Sequence, residues 1–449
     1  MALSRRLLLA TLSGVLLAAA FPPYHFPYFL PLALAALLKA LDGATPRQGF
    51  FVGLLSAGIH TGATLFWLSN LFAAAVLPLC VILSLFPILF CMLWARCQSV
   101  LPRVATAVLW VGLEFFRAEP FVLNFGWPTL GYAVAGRPVF APLTATLGVY
   151  GISSLVVALG TLRGRALAIT TALWAVACLI RLPAPVPERP LTVLLVQARS
   201  GDEEALFEQS AGAKADVIVW PEHAFHSDPR QPGRFRFNNF WPRLQALAKS
   251  SGAHLVLGAH VARQGEDPEK IFDNAALVLT PTGELAGIHV KNHPVHFLTD
   301  GVASTVAKAI PTTLGRIGTP ICFDNDYPEV DRRMVQDGAE VFLVPNMDPD
   351  EWGPVQHAQH SLLFAMRAME NGRWLARADV DGGTSAVAPN GVEVGHVKNG
   401  EPQTLMVRVG RTTHRTLYGL GGWVFGPLCL FGALGCTGFG LWKGRRASP

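Results

Sequence analysis

Residues 318–329 read GTPICFDNDYPE. A short apolar run ends in Cys322, and a loop rich in Asp, Asn and Pro follows at once. Of the seven cysteines this is the only one far from any long apolar segment. An apolar strand that stops on a chemically capable side chain delivers that side chain to the crevice beyond the strand end. Cys322 is therefore either a small buried filler or a nucleophile, and the neighbouring segments decide between the two.

Two other runs end in the same way. VIVWPEHAF (217–225) closes an apolar strand and then presents Glu222, and IHVKNHPVHF (288–297) ends on Lys291. Around them, short β-type runs alternate with helical segments. The strand candidates are 191–197, 216–220, 254–260, 275–280, 287–291, 316–322, 340–345 and 373–378, and the helix candidates are 239–250, 329–336 and 356–371. TPTGEL (280–285) reads as a hairpin turn about Gly283. Such alternation predicts an α/β domain with largely buried strands. Acid, amine and thiol then converge from three strand ends.

The chemistry follows from what each group can do. A cysteine attacks an acyl carbon best as thiolate, so it needs a base or a nearby positive charge. Glu222 can take the thiol proton. Lys291, kept protonated, can steady the thiolate and then the oxyanion of a tetrahedral intermediate, with backbone N–H groups after Cys322 sharing that task. Taken singly, Glu222 reads as a loop acid and Lys291 as a solvated strand end. The joint pattern favours catalysis. A Cys–His pair with His293 or His296 is the alternative nucleophile arrangement. Two histidines without a second nearby cysteine argue against a zinc site. His357 and His360 read as packing or lining groups, and nothing calls for a cofactor or metal.

Working outward, the chain of 449 residues is 51% hydrophobic and only 15% charged, against about 25% in an ordinary soluble protein. Residues 1–181 are mostly apolar runs, RLPAPVPERP (181–190) is a Pro-rich linker, residues 191–416 read as a water-soluble domain, and 417–449 hold a last apolar run and a basic tail. A spanning helix needs about 20 apolar residues. Eight runs are candidates: 7–20, 29–41, 50–71, 76–95, 104–116, 141–162, 166–180 and 418–442. Arg5, Arg6, Lys39, Arg47, Arg96, Arg103, Arg163, Arg165 and Lys443 flank alternate loops, whereas FPPYHFPY and LFAAAV carry no Lys or Arg and the fifth loop has Arg117 and Arg137. Cytoplasmic loops are rich in these residues. The pattern therefore predicts both termini in the cytoplasm and residues 182–416 on the opposite face, with the first run kept as a signal-anchor. The net charge of +5 is accounted for by these flanking cations and does not suggest a nucleic-acid partner. The fifth loop, RAEPFVLNFGWPTLGYAVAGRP (117–138), carries Phe121, Phe125, Trp127 and Tyr132, either as an interfacial belt or as a lipid-facing floor. Glu114, beside it, is either functional or paired with Arg117 one turn on.

VWPE, the strand-end lysine of HVKNH, and ICFD resemble the Glu–Lys–Cys triad of the nitrilase superfamily. FAMRAMENGRWLARADVDGGTSAVAPNG (364–391) resembles a further block of that superfamily. Seven spans before such a domain and one after it resemble the apolipoprotein N-acyltransferase family, integral membrane enzymes of bacteria. FPPYHFPYFLPLALAAL, FGWPTLGYA and LGVYGISSLVV match its membrane part. The resemblance implies a multi-pass helical domain plus an αββα sandwich in the bacterial inner membrane, with the sandwich on the periplasmic face. It implies Glu222, Lys291 and Cys322 as the catalytic residues, a phospholipid acyl donor, and a diacylglyceryl-modified lipoprotein as acceptor. A membrane-tethered amidase with water as acceptor is the alternative. The chain departs from the family pattern after the lysine, where Thr299 and then Asp300 stand in place of an expected Glu. It departs again after the cysteine, where Phe323–Asp324 replaces Tyr–Glu, and the segment from Lys291 to Cys322 is short. That segment is a lid in the family, so Asp300, Phe323, Asp324 and the loop residue Trp127 are the candidate lid or substrate-binding groups.

Overall fold

A computed structural model describes residues 1–230, 240–263, 265–266, 271–398, 400 and 402–446. Two compact units emerge: Met1–Arg181 with Leu420–Pro449, and Leu182–Gly419.

The first unit is helical. Its principal helices are Leu3–Ala19, Leu30–Leu41, Pro46–Leu65, Val76–Cys97, Ala105–Ala118, Ala141–Gly160, Gly164–Leu179 and Phe425–Arg446. The start of Pro46–Leu65 is written locally. Thr45 Oγ1 accepts from the Gln48 N–H while Gln48 Oε1 accepts from the Thr45 N–H, and Pro46 fills the first helical position, so the otherwise orphaned donors of the first turn are satisfied. Three stretches, Pro46–Cys97, Pro138–Gly160 and Gly422–Lys443, are long and apolar enough to cross a membrane, and Pro27–Leu41 and Gly164–Leu179 are shorter apolar helices. The chain thus contains a membrane-spanning helical region. Its exterior is apolar: Leu8, Phe66, Leu77 and Phe431 are 68–70% exposed. Small residues let the helices approach. A methyl on Gly112 would lie 2.5 Å from the Cys429 carbonyl oxygen of the last helix, so this contact needs glycine.

Among its described residues the second unit holds twelve strands: β1 (Leu191–Gln197), β2 (Val217–Val219), β3 (His254–Ala262), β4 (Phe272–Leu279), β5 (Leu285–Val290), β6 (Ile310–Thr312), β7 (Gly315–Gly318), β8 (Val341–Pro345), β9 (Leu375–Ala378), β10 (Ser385–Val387), β11 (Glu393–His396) and β12 (Gln403–Val409). They form two six-stranded sheets ordered β12-β1-β2-β3-β4-β5 and β11-β10-β9-β8-β7-β6. β1, β2 and β3 run parallel, as do β7, β8 and β9.

The period-two alternation of each strand explains the layering. Leu191, Val193 and Leu195 of β1 turn to a core shared with Ile317, Val341, Leu343 and Ala376 of the other sheet. Leu194 and Val196 turn the other way, onto Leu206, Leu244 and Leu247 of the helices Glu203–Ser210 and Phe240–Ser251. The helices Pro328–Gln336 and Pro354–Asn371 pack on each other and on the second sheet. The result is an αββα sandwich.

Several expected boundaries shift. Both of the last-named helices start earlier than their apolar periodicity suggests, on Pro328 and Pro354 at the first helical position. The residue Asn239, with which the expected helix 239–250 begins, lies outside the described residues. The expected strand 316–322 ends at Gly318, and residues 319–321 lead into a short 3-10 turn, Cys322–Asp326. The turn about Gly283 forms as expected: Gly283 takes φ +78°, and its N–H and that of Thr280 bond across the loop.

Candidate active site

Strand register builds the site. β5 pairs with β4 so that Ala275 faces Val290, and the Lys291 N–H then donates to the Asn274 carbonyl at 2.8 Å. Lys291 and Asn274 therefore sit side by side at the end of the sheet. Glu222 lies just beyond β2, and its N–H donates to the Asn346 carbonyl just beyond β8. Gly258 of β3 permits this, since a methyl there would lie 2.5 Å from the Glu222 Cα.

Glu222 and Lys291 meet. Lys291 Nζ lies 2.7 Å from Glu222 Oε1, and each residue is 1% exposed. A second carboxylate joins them: Asp300 Oδ2 is 2.7 Å from the same ammonium and also accepts from the Val295 N–H at 2.8 Å. Asn274 Nδ2 ties the two acids together, donating to Glu222 Oε1 and Asp300 Oδ1 at 2.7 Å each. Burial by itself would draw the Lys291 pKa down. Asp300 and then Glu222 outweigh it and hold the ammonium well above its ordinary value. Asp300 is held below the ordinary carboxylate range: burial opposes this, but Lys291 overrides it. Lys291 is thus a fixed cation at neutral pH.

Cys322 is 2% exposed and takes φ +45°, a left-handed conformation that non-glycine residues rarely adopt and that recurs where function demands it. Its Sγ lies 3.7 Å from the Met347 carbonyl. Burial first, then Glu222, push the thiol well above its ordinary pKa, with Lys291 pulling partly the other way. The acid and the ammonium therefore act on the sulfur, and the resting form is the thiol.

The other anticipated residues have different surroundings. Asp324 is 0% exposed, and both its oxygens are engaged. Oδ1 accepts from the Asn292 and His293 N–H groups at 2.9 Å, and Oδ2 takes the Ile321 N–H at 3.1 Å and meets His289 Nε2 at 3.0 Å. It clamps the segment after Lys291 to the turn that carries Cys322. The Asp324 N–H is spent on the Ile321 carbonyl, so it is not a free oxyanion donor. Phe323 is buried edge-on to Tyr327. His293 pairs with Glu329 at 3.0 Å and stacks on Tyr327, so it is engaged away from the sulfur, while the His296 ring lies 6.2 Å from that of Phe323. Trp127 belongs to the helical unit, where it is 3% exposed against Trp67 and Phe125. It is not a lipid-facing surface residue.

Three groups, Asn274, His223 and Asp348, escaped sequence reading, and a fourth, His360, reads in sequence only as a packing or lining group. Asn274 is a polar residue inside an apolar strand. His223 adjoins Glu222, and its Nε2 lies 3.4 Å from Asp300 Oδ1. Asp348 and His360 form a second buried network: His360 Nδ1 lies 2.8 Å from Asp348, and its Nε2 is 3.3 Å from Asp326. Burial opposes protonation of His360, yet Asp348 and Asp326 raise its pKa to about 9. It is an ion-paired group rather than the packing residue expected. Asp348 stands just after β8 as Glu222 stands just after β2, so the strand-end rule could have found it. Ligating atoms of Cys322, Asp348 and His360 lie within 4.8 Å of one another, as do those of Glu222, His223 and Asp300. In the second trio both carboxylates are already paired with the Lys291 ammonium, and in the first His360 is held as a cation, so neither donor set is arranged for a metal.

Comparison with known proteins agrees with this construction. The apolipoprotein N-acyltransferase N-terminal domain matches residues 13–162, and the carbon-nitrogen hydrolase domain matches residues 193–417. The chain is 28% identical to an apolipoprotein N-acyltransferase of Geobacter metallireducens, with 96% of this chain and 94% of that one covered. It is 26% identical to one of Pseudomonas aeruginosa, with 86% of each covered. The chain belongs to the apolipoprotein N-acyltransferase family. Among solved structures it resembles an amidase from Nesterenkonia sp., at 22% identity and a TM-score of 0.38, over 51% of this chain and 92% of the amidase. Membership of the family makes the protein an enzyme of the nitrilase superfamily.

Proposed function

We propose that the protein moves an acyl chain from a phospholipid to Cys322, and from there to the N-terminal amine of a diacylglyceryl-modified lipoprotein. The observation that carries this reading is one buried ammonium, Lys291, held 2.7 Å from each of two carboxylates, with the charges of Lys291 and Glu222 felt by the Cys322 thiol on its strained turn.

Both known bonds to Glu222 from Lys291 and Asn274 fall on Oε1, so Oε2 is the oxygen placed to take the thiol proton. The sulfur then attacks the ester carbonyl and a C–S bond forms. Lys291 stabilises the oxyanion. The ester C–O bond breaks, and the departing lysophospholipid oxygen takes the proton back from Glu222. In the second half the amine attacks the thioester, a C–N bond forms, the C–S bond breaks, and Glu222 takes the proton from nitrogen and returns it to the departing sulfur. Asp300 keeps Lys291 charged throughout, one position after Thr299, where the family pattern has a Glu.

The arrangement in the membrane is part of the same proposal. Residues 1–181 and 417–449 form the membrane domain with eight spans, and residues 191–416, beyond the linker 182–190, form the catalytic domain on the periplasmic face of the inner membrane. The alternation of Lys and Arg between loops supports it. A reporter fused after Arg230 then gives an outer-face signal, and a cytoplasmic signal overturns the orientation.

The test of function is transfer in vitro. Purified protein, phospholipid with a labelled acyl chain and a diacylglyceryl-cysteine peptide should yield the labelled amide, and Cys322→Ala should yield none. Labelled free fatty acid in place of amide would make the protein a hydrolase with water as acceptor.

A further inference from the structure

The reaction just proposed has a proton balance that its triad does not close. Acylation is proton-neutral, because the thiol proton leaves on the lysophospholipid. Aminolysis is not. A lipoprotein amine present in water as ammonium becomes an amide, so each turnover of ester and ammonium yields alcohol, amide and one proton. One N–H proton returns to sulfur through Glu222, and the excess one is the proton that the ammonium sheds to become the attacking amine, beside a Glu222 that is 1% exposed and a Lys291 ammonium that is already full.

A row of imidazoles leads away from that point. His223 is 6% exposed, and its Nε2 lies 3.4 Å from Asp300 Oδ1 and 3.8 Å from Glu222 Oε1. Its Nδ1 lies 2.6 Å from His260 Nε2. His260, at the end of β3, is only partly buried and stacks on Phe272 with ring centres 3.8 Å apart. His226 is exposed, its ring 5.1 Å from that of His260 and its Nε2 2.9 Å from Ser200 Oγ. His223 takes φ +52°, the left-handed region again. The charged and titratable groups facing this row are Glu222, Asp300 and, beyond them, Lys291.

We propose that His223 and His260 form a proton exit, carrying the proton released during aminolysis from the Glu222–Asp300 pair to water. The inference rests on the acyl-transfer reading above. Each ring accepts a proton on one nitrogen and gives one up from the other: His223 receives on Nε2 and donates from Nδ1, His260 receives on Nε2 and releases from Nδ1. No bond other than N–H and O–H changes. Burial, then His223 and His226, lower the His260 pKa to about 3, so the ring is neutral at rest.

The experiment separates the two half-reactions in His260→Phe, a substitution that keeps a ring on Phe272. Labelled phospholipid alone loads Cys322, and a diacylglyceryl-cysteine peptide then discharges it, in dilute bulky buffer with and without imidazole. Loading should match the parent enzyme to within about twofold, while discharge should fall about tenfold or more and recover with imidazole. His260→Gln keeps an N–H for His223 but cannot relay, so it should behave like His260→Phe. Discharge that is unchanged, a loss shared equally by loading, a loss imidazole does not repair, or normal discharge in His260→Gln would each overturn the relay. Failure of the unsubstituted enzyme to load Cys322 would instead count against the acyl-transfer reading.

Discussion

Glu114 and Arg117 stand one turn apart on a single helix, whereas Glu222, Lys291 and Asp300 come from three separate segments. All five are buried. The helical pair spends its charge on backbone. Glu114 Oε1 accepts from the Leu130 N–H at 2.9 Å, and Arg117 donates to the Trp127 carbonyl at 2.7 Å and to Thr129 Oγ1 at 3.1 Å. These charges pin the fifth loop in an unusual course. The sandwich trio gathers around one nitrogen, with the backbone N–H of Val295 donating to one of its carboxylates. Spacing along a helix offered the obvious ion pair, yet the loop's unpaired backbone groups had the stronger claim, because an amide without a partner in an apolar surround costs more than a pair of charges gains. In the sandwich the two carboxylates meet the ammonium directly, at 2.7 Å each. Buried charge thus builds architecture in one unit and a reactive centre in the other.

That contrast can be broken at several points. Cys322→Ala should lower amide formation by at least about a thousandfold while leaving the fold intact, since it removes the nucleophile and almost no volume; product assays and circular dichroism check both halves. Lys291→Met leaves Glu222 and Asp300 uncompensated, and should cost about 3–5 kcal/mol in stability as well as about a hundredfold or more in rate. Thermal melts run beside acyl loading would show the two losses together. His360→Gln should cost about 3 kcal/mol near neutral pH. His360 has a folded pKa of about 9, above its ordinary 6.5. Its contribution is therefore complete below about pH 6.5 and lost as pH rises through about 9. The gap in melting temperature between parent and variant should close over that window. Arg117→Gln in the helical unit should cost only about 1–3 kcal/mol, from a carbonyl left short of a donor. Protein that survives should load Cys322 at close to the parent rate. A collapse of loading in folded Arg117→Gln would erase the distinction between architectural and reactive charge.

Much of this was legible because strand ends carry simple signals. The runs before Glu222 and Lys291 are apolar and short, and each stops on its functional residue. The alternation of Leu and Val in β1 foretells both cores. Other parts were hidden for physical reasons. β12, QTLMVRV, lies at a sheet edge with Thr404, Met406 and Arg408 exposed, so no continuous apolar run marks it. β6, β10 and β11 have three or four residues each, too few to show a period. Asp300 looked like a lid residue because its partner, Lys291, is reached by a loop whose path no periodicity encodes. His360 looked like packing because Asp326 and Asp348 lie on other elements.

The most direct test of the central claim is the mass of the protein after brief incubation with a phospholipid of known acyl chains, quenched in acid and digested. The account predicts one added acyl chain on the peptide containing Cys322, removed by neutral hydroxylamine and absent from Lys291→Met. An acyl adduct on any other residue, or turnover to amide with Cys322 never acylated, would contradict it.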